Sequence, residues 1–191
     1  ILFLDELPEF KRTSLEVLRQ PLEDREVTIS RVNSTVTYPA DFMLVSAMNP
    51  CPCGYYGDPT HRCVCTPGQI QRYMNKISGP LLDRIDIQCE ISPVPFQDIS
   101  KAAPGEPSAK IRERVIKARE VQAERFKDYK GIHCNAQMTE RMIHQFAEPD
   151  EQGIELLRMA MEKLSLSARA YNRILKVART IADLAGSEQI K

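Results

Sequence analysis

The sequence predicts an α/β half followed by an all-α half, divided near residue 97. Three observations carry this. Two continuous apolar runs, Ile1-Leu2-Phe3-Leu4 and Phe42-Met43-Leu44-Val45-Ser46-Ala47-Met48, have the pattern of strands buried on both faces of a parallel sheet. Between them, Glu26–Arg31 and Ser34–Tyr38 are β-rich and flank Val32-Asn33, which is the pattern of a β-hairpin. After a stretch holding Pro93, Pro95, Pro104, Gly105 and Pro107, apolar residues recur at helical spacing.

The elements follow in order. The first run ends on Asp5-Glu6 and reads as a buried strand over residues 1–6. Pro8 opens a helical stretch with Phe10, Leu15, Leu18 and Leu22 on its apolar side, and Pro21 is expected to kink or end it. In the hairpin, Asn33 suits a positive-φ turn position. The second run ends on Asn49-Pro50, and a cysteine-rich loop spans roughly 50–68. Ile70 to Ile77 reads as a short helix, and Leu81 to Ile91 is expected to contain a further strand. Residues 92–109 form a linker by composition. Ser108 can cap a helix running to about Asp128, with Ile111, Val115, Ala118, Val121 and Phe126 facing inward. Thr139 can cap a short helix ending before Pro149, Glu151 to Leu164 is a third, and Ser167 can cap the last. That helix presents Tyr171, Ile174, Leu175, Ala178 and Ile181 on one face.

Composition excludes several classes. The 191 residues hold 26 Lys+Arg against 26 Asp+Glu, so no global charge points to nucleic acid or membrane and any basic surface is local. No apolar run approaches the roughly 18 residues of a membrane span, and a cytoplasmic protein is expected. Four of the six cysteines, Cys51, Cys53, Cys63 and Cys65, lie close together. In a reducing compartment such a cluster points to metal ligation more than to disulfides.

Four constellations carry chemistry. An Asp at a strand tip, here Asp5, can hold the Mg²⁺ of Mg-ATP, and the following Glu6, on the opposite side of an extended backbone, can polarise an attacking water. Two solvated acids ending a strand are the plain alternative. Asn49 ends the second run; parallel pairing of the two runs would bring both tips to one edge, where a neutral amide can orient the water. Asn-Pro is also simply a good turn starter. Arg84 lies between Asp83 and Asp86, either as a local ion-pair residue or as an exposed arginine reaching the γ-phosphate in a neighbouring subunit. Arg169 lies in the first turn of a helix, where positive charge is unfavourable.

At this point the residues resemble a family. Ile1–Glu6 resembles a Walker B motif, Asn49 a sensor 1, Leu82-Asp83-Arg84 an arginine-finger motif and Ser167-Ala168-Arg169 a sensor 2, in the order used by AAA+ ATPases. The wording of Leu7-Pro8-Glu9-Phe10, Leu18–Asp24, Asn49-Pro50-Cys51-Pro52-Cys53-Gly54 and Arg173–Leu184 resembles magnesium-chelatase-like AAA+ ATPases of the ComM/YifB type. The resemblance covers essentially the whole chain. It implies the C-terminal half of an AAA+ P-loop core over residues 1–97, a parallel sheet with a β-hairpin insert, followed by a helical lid over 98–191. It also implies ATP and Mg²⁺ as cofactors, a hexameric ring, and branch-migration or helicase-like work on DNA in competence and recombination. The chain begins inside its Walker B-like motif, with no phosphate loop before it. The expectation is therefore half of an engine, inactive alone.

The resemblance gives the hairpin a role: in related ring motors it points into the central pore, so Arg31 and Asn33 are expected to contact DNA, where a basic residue can grip the phosphate backbone. A polar, solvated turn is the alternative. Cys51-x-Cys53 and Cys63-x-Cys65 suit a tetrahedral structural Zn²⁺, with His61 as a possible substitute ligand; free thiols in a loop are the alternative. The mixed charges of the helix from Ser108 read mainly as a solvated face. Two other functions stay open: a metal-chelatase-type motor, and a zinc-stabilised binding or assembly module without catalysis.

Overall fold

The computed structural model describes residues 1–92, 94, 105–164 and 166–190. It is a mixed α/β structure that divides into two compact units, Ile1–Val94 and Pro95–Lys191. Most of the linker expected over residues 92–109, and the division expected at 97, lie outside the described residues.

In the first unit, β1 (Leu2–Leu4) pairs in parallel with β4 (Leu44–Ser46), with Leu2 opposite Leu44, Phe3 opposite Val45 and Leu4 opposite Ser46. The two strands expected to be buried are not. Phe3 is 59% and Val45 40% exposed, while Leu2, Leu4 and Leu44 are half-buried. Side chains alternate across a strand, so one face meets the core and the Phe3–Val45 face meets no covering layer among the described residues.

Pro8 sits in a 3₁₀ turn, Leu7–Glu9, rather than opening a helix. The helical stretch then breaks in two: α1 (Arg12–Val17) and α2 (Arg19–Asp24). The break falls at Leu18, three residues before Pro21, whose ring would strike the carbonyl of residue 17 in a continuous helix. Pro21 itself sits in the first turn of α2, where its missing N–H costs little. The apolar centre of this unit is Leu7, Leu15, Ile77 and Leu81, with Leu4, Leu18, Leu22 and Leu82 packed on it.

The hairpin is present: β2 (Glu26–Arg31) pairs antiparallel with β3 (Ser34–Pro39), Arg31 opposite Ser34. Its two-residue turn does not put Asn33 at positive φ; among the described non-glycine residues only Glu6 and Arg25 take that conformation. Val32 is the other turn residue, and a β-branched side chain resists positive φ, so the mirror-image turns that demand it are closed to this pair. The strand expected within 81–91 is also absent. Gly79–Leu82 forms a short helix, α4, and the alternating Ile85, Ile87 and Ile91 continue without pairing; Ile87 and Ile91 are 67% and 89% exposed. β-propensity creates no strand without a partner edge. The helix expected at 70–77 runs earlier, as α3 (Pro67–Met74). A reciprocal capping box between Thr66 and Gln69 sets its start.

The second unit is helical: α5 (Ser108–Phe126), α6 (Glu140–Phe146), α7 (Glu151–Leu164) and α8 (Ala168–Leu184). Ser167 caps α8 by accepting the Ala170 N–H at 3.2 Å, as expected. Ser108 is not a cap; Pro107 holds that position, and Thr139 caps α6 without a side-chain bond. The inward face of α5 is Ala118, Gln122 and Phe126, whereas Ile111, Val115 and Val121 are each at least 40% exposed.

The core of this unit gathers Phe126, Met138, Met142, Ile143, Ala147, Leu175, Ala182 and Ile190. Phe126, Tyr129 and Phe146 meet edge to face with centroids 5.8–6.4 Å apart. Beside it lies a buried polar network. Arg125 makes a two-pronged contact with Asp183, at 2.7 and 2.5 Å, Arg179 adds a bond at 3.0 Å and Asn135 one at 2.7 Å. Arg179 also donates to the carbonyls of Glu188 and Ser187, tying the chain after α8 to the network. No helix among the described residues is long and apolar enough to cross a membrane.

Candidate functional site

Parallel pairing brings the ends of β1 and β4 to one edge, as the two apolar runs predict. The Ala47 N–H donates to the Leu4 carbonyl at 3.1 Å, and the Leu7 N–H donates to the Ala47 carbonyl at 3.0 Å. Asp5 and Glu6 therefore leave β1 beside the segment that leads to Asn49.

The backbone at this edge is not extended, contrary to the geometry expected for Glu6. Glu6 has φ 50° and ψ 48°, in the left-handed region. For a residue with a β-carbon this costs about 1–2 kcal/mol. The Glu6 N–H turns back onto Asp5 Oδ1 at 2.9 Å, which helps to hold the conformation. Both side chains are exposed. A strained, exposed acid at a strand tip is the kind of outlier found at functional sites.

Tyr73, which sequence reasoning missed, joins this edge to α3. It is 7% exposed, and its hydroxyl lies near the backbone N–H of Asn49. Burial pushes its pKa up, as do the charges of Glu9 and Glu6, while the Asn49 N–H pulls it down; the net effect is upward. Lys76, one turn on, pairs with Glu9 at 3.4 Å and lies over the Tyr73 ring at 5.6 Å. The signal was an apolar stripe, Ile70, Tyr73 and Ile77, whose middle member alone carries a polar head.

Arg84 is not an exposed side chain. It is 11% accessible and forms an ion pair with Glu23 at the end of α2, and it donates to the Pro80 carbonyl at 2.5 Å. Its Nε is buried without a partner. The carboxylate it pairs with, Glu23, is 61 residues away. To reach a neighbouring subunit Arg84 would have to leave Glu23. Arg169 is exposed, in the first turn of α8, in the second unit.

Arg31 and Asn33 are exposed at the hairpin tip, and Val32 between them is 102% exposed. The base of the hairpin is held by the Ala40 N–H on the Arg25 carbonyl at 2.7 Å, and Thr28 and Thr37 bond across the strands at 3.0 Å.

The loop after Asn49 folds its four cysteines together, with every Sγ within 4.8 Å of the others. Gly54 makes the first turn at φ 85°, its N–H bonding the Cys51 carbonyl at 3.0 Å. N–H groups of Tyr55 and Val64 pull the Cys53 thiol down to about 6, whereas burial pushes Cys65 up to about 12. His61 does not join the sulfurs. It stacks on Tyr55 at 4.9 Å, and its Nδ1 meets the Thr60 hydroxyl at 2.9 Å. Asp58 accepts the N–H groups of Thr60 and His61, at 2.6 and 3.0 Å, and holds this corner of the loop.

With this geometry in place, likeness to known proteins can be set beside it. The family model for magnesium chelatase, subunit ChlI, matches residues 1–99, and that for the ChlI C-terminal region matches residues 105–191. The chain is 47% identical over its full length to the competence protein ComM of Haemophilus influenzae, covering 36% of that protein. It is 45% identical over its full length to YifB of Escherichia coli, an uncharacterized protein, again covering 36%. To Rv2897c of Mycobacterium tuberculosis, also uncharacterized, it is 40% identical over 97% of its length. The chain thus spans little more than a third of these relatives.

Proposed function

The chain belongs to the magnesium chelatase family, and from that premise we propose that it is part of an ATP-hydrolysing AAA+ ring motor acting on DNA. The observation that carries this reading is the shared edge of β1 and β4, with Asp5-Glu6 leaving one strand and Asn49 following the other. On this reading Asp5 holds the Mg²⁺ of Mg-ATP and Glu6 polarises the attacking water. The left-handed turn at Glu6 directs its carboxylate differently from a continued strand. Asn49, beside the buried Tyr73, orients the water.

Arg84 serves the γ-phosphate bound by a neighbouring subunit once released from Glu23, and Arg169 couples the helical unit to nucleotide. Such rings are hexameric, and the hairpin tip with Arg31 and Asn33 meets the DNA backbone. The named role of one relative in competence and the exposed tip support DNA as the substrate. In the full-length protein, Glu6→Gln should lower ATP turnover at least about 100-fold while ATP still binds. Undiminished hydrolysis would remove Glu6 as the base.

A second reading, a motor that drives metal insertion, is favoured by the family name alone. ATPase stimulation by branched DNA supports the first reading; stimulation by a porphyrin-binding partner supports the second.

A further inference from the structure

Residues 51–65 leave the tip of β4 and return to the cap of α3, and their geometry centres on sulfur. Cys51, Cys53 and Cys63 lie 3.4, 3.5 and 3.7 Å apart pairwise. Tetrahedral coordination with metal–sulfur bonds of about 2.3 Å puts sulfurs about 3.8 Å apart. A disulfide needs about 2.05 Å, and all four thiols are unpaired. Cys51 is fully buried. Main-chain N–H groups also lie near the sulfurs: those of Tyr55 and Val64 near Cys53, that of Cys65 near Cys63 and that of Cys53 near Cys65. Backbone donors of this kind surround metal thiolates and offset their charge. Four close sulfurs, grouped with no fifth donor among the described residues, suit one soft, tetrahedral ion in a closed site, and they are too close together for a polynuclear cluster.

The position of this cluster gives it a consequence. Cys51 follows Asn49 by two residues, and Cys65 immediately precedes Thr66, the cap of α3. Two turns along α3, the buried Tyr73 brings its hydroxyl near the Asn49 N–H. The path from Asn49 through Cys51, across the sulfurs to Cys65 and along α3 comes back beside Asn49 at Tyr73, a ring in which no covalent bond joins the sulfurs.

We propose that one Zn²⁺ held by Cys51, Cys53, Cys63 and Cys65 closes this ring and fixes the backbone of Asn49, making the cysteine loop and Tyr73 a positioning device for the strand-tip edge. The value of the device for hydrolysis rests on the reading of Asn49 given above; the metal and the order it imposes do not.

The test uses the chain purified with reductant and without chelator. Metal analysis should find one zinc per chain, and a Cys53→Ser, Cys63→Ser double variant should carry none. After zinc is stripped by a chelator, amide hydrogen exchange at Asn49 should speed up by about tenfold or more, while exchange at Ile29 and Leu175 stays as before. Tyr73→Phe with zinc bound should speed exchange at Asn49 with the zinc content unchanged. Absence of metal, or iron in place of zinc, overturns the site. Unchanged exchange at Asn49 in stripped protein overturns the positioning role. Should stripping also release Ile29, the Tyr73→Phe protein decides: unchanged exchange at Asn49 overturns the device. None of these readouts depends on ATP turnover, so failure of the ATPase reading leaves them standing.

Discussion

The first unit is held together at its centre by aliphatic side chains, Leu7, Leu15, Ile77 and Leu81, and keeps its carboxylates Asp5 and Glu6 at the rim. The second unit buries charge. Asp183, with a side chain 1% exposed, lies between Arg125 and Arg179, beside an aromatic and aliphatic core. The difference follows from what surrounds each group. An acid at a sheet edge stays hydrated and free to meet a ligand. An acid among helices survives burial only if it is paired and hydrogen-bonded, and it then serves order rather than chemistry. Asp183 fits this: burial alone would raise its pKa, but hydrogen bonds from Arg125 and Asn135 and the charges of both arginines outweigh burial and leave it below the usual carboxylate range.

The contrast breaks most sharply at Asp183. Asp183→Ala strands two arginines in a buried site and should cost about 3–5 kcal/mol, read by urea unfolding of the helical unit. A loss under about 1 kcal/mol would put that network in the class of surface ion pairs. The same group sets an acid limit. Its pKa is lower folded than unfolded, so the unfolded chain binds the proton more readily. The stabilisation is present above the unfolded value, about 3.9, and is lost as pH falls through the lower folded value. Melting temperatures across that acid range should fall in the native protein and fall less in Asp183→Asn.

For the first unit, Leu81→Ala should cost about 2–5 kcal/mol. With few buried partners, the loss should appear as faster amide exchange across α1, α2 and α3 while α8 stays protected. Equal loosening of α8 would join the two units into one cooperative structure. The smallest effect is at a cap: Ser167→Ala should cost about 1 kcal/mol, seen as faster exchange at Ala170 and confined to the first turn of α8.

How far these features were legible differs by residue. The hairpin, the Ser167 cap, the span of Glu151–Leu164 and the gathering of the four cysteines were readable because their signals lie within a few residues of one another. The failures have equally specific causes. Ile85–Ile91 alternates like a strand but finds no edge to pair with. Ile111 and Val115 keep helical spacing but meet no facing element among the described residues, and the face that does is marked by Gln122. Pro21 acts on residue 17, so the break falls ahead of the proline itself. Tyr73 gave a packing signal, not a site signal, since the segment its hydroxyl lies near, at Asn49, is 24 residues earlier in the chain.

By itself the sequence determined the order of elements, the pair of acids closing one apolar run, the amide closing the other, and the cysteine spacing. These are local patterns, written in periodicity, capping chemistry and short loops. Only the tertiary structure decided that Glu6 turns left-handed. It alone decided that Arg84 rests on Glu23 and that Arg125 and Arg179 meet on Asp183. Those partners are far apart along the chain, 61 residues for Glu23 and Arg84 and 58 for Arg125 and Asp183. A charge in a sequence does not say which opposite charge will exclude water from it; that is settled by burial, and burial by the packing of the whole unit.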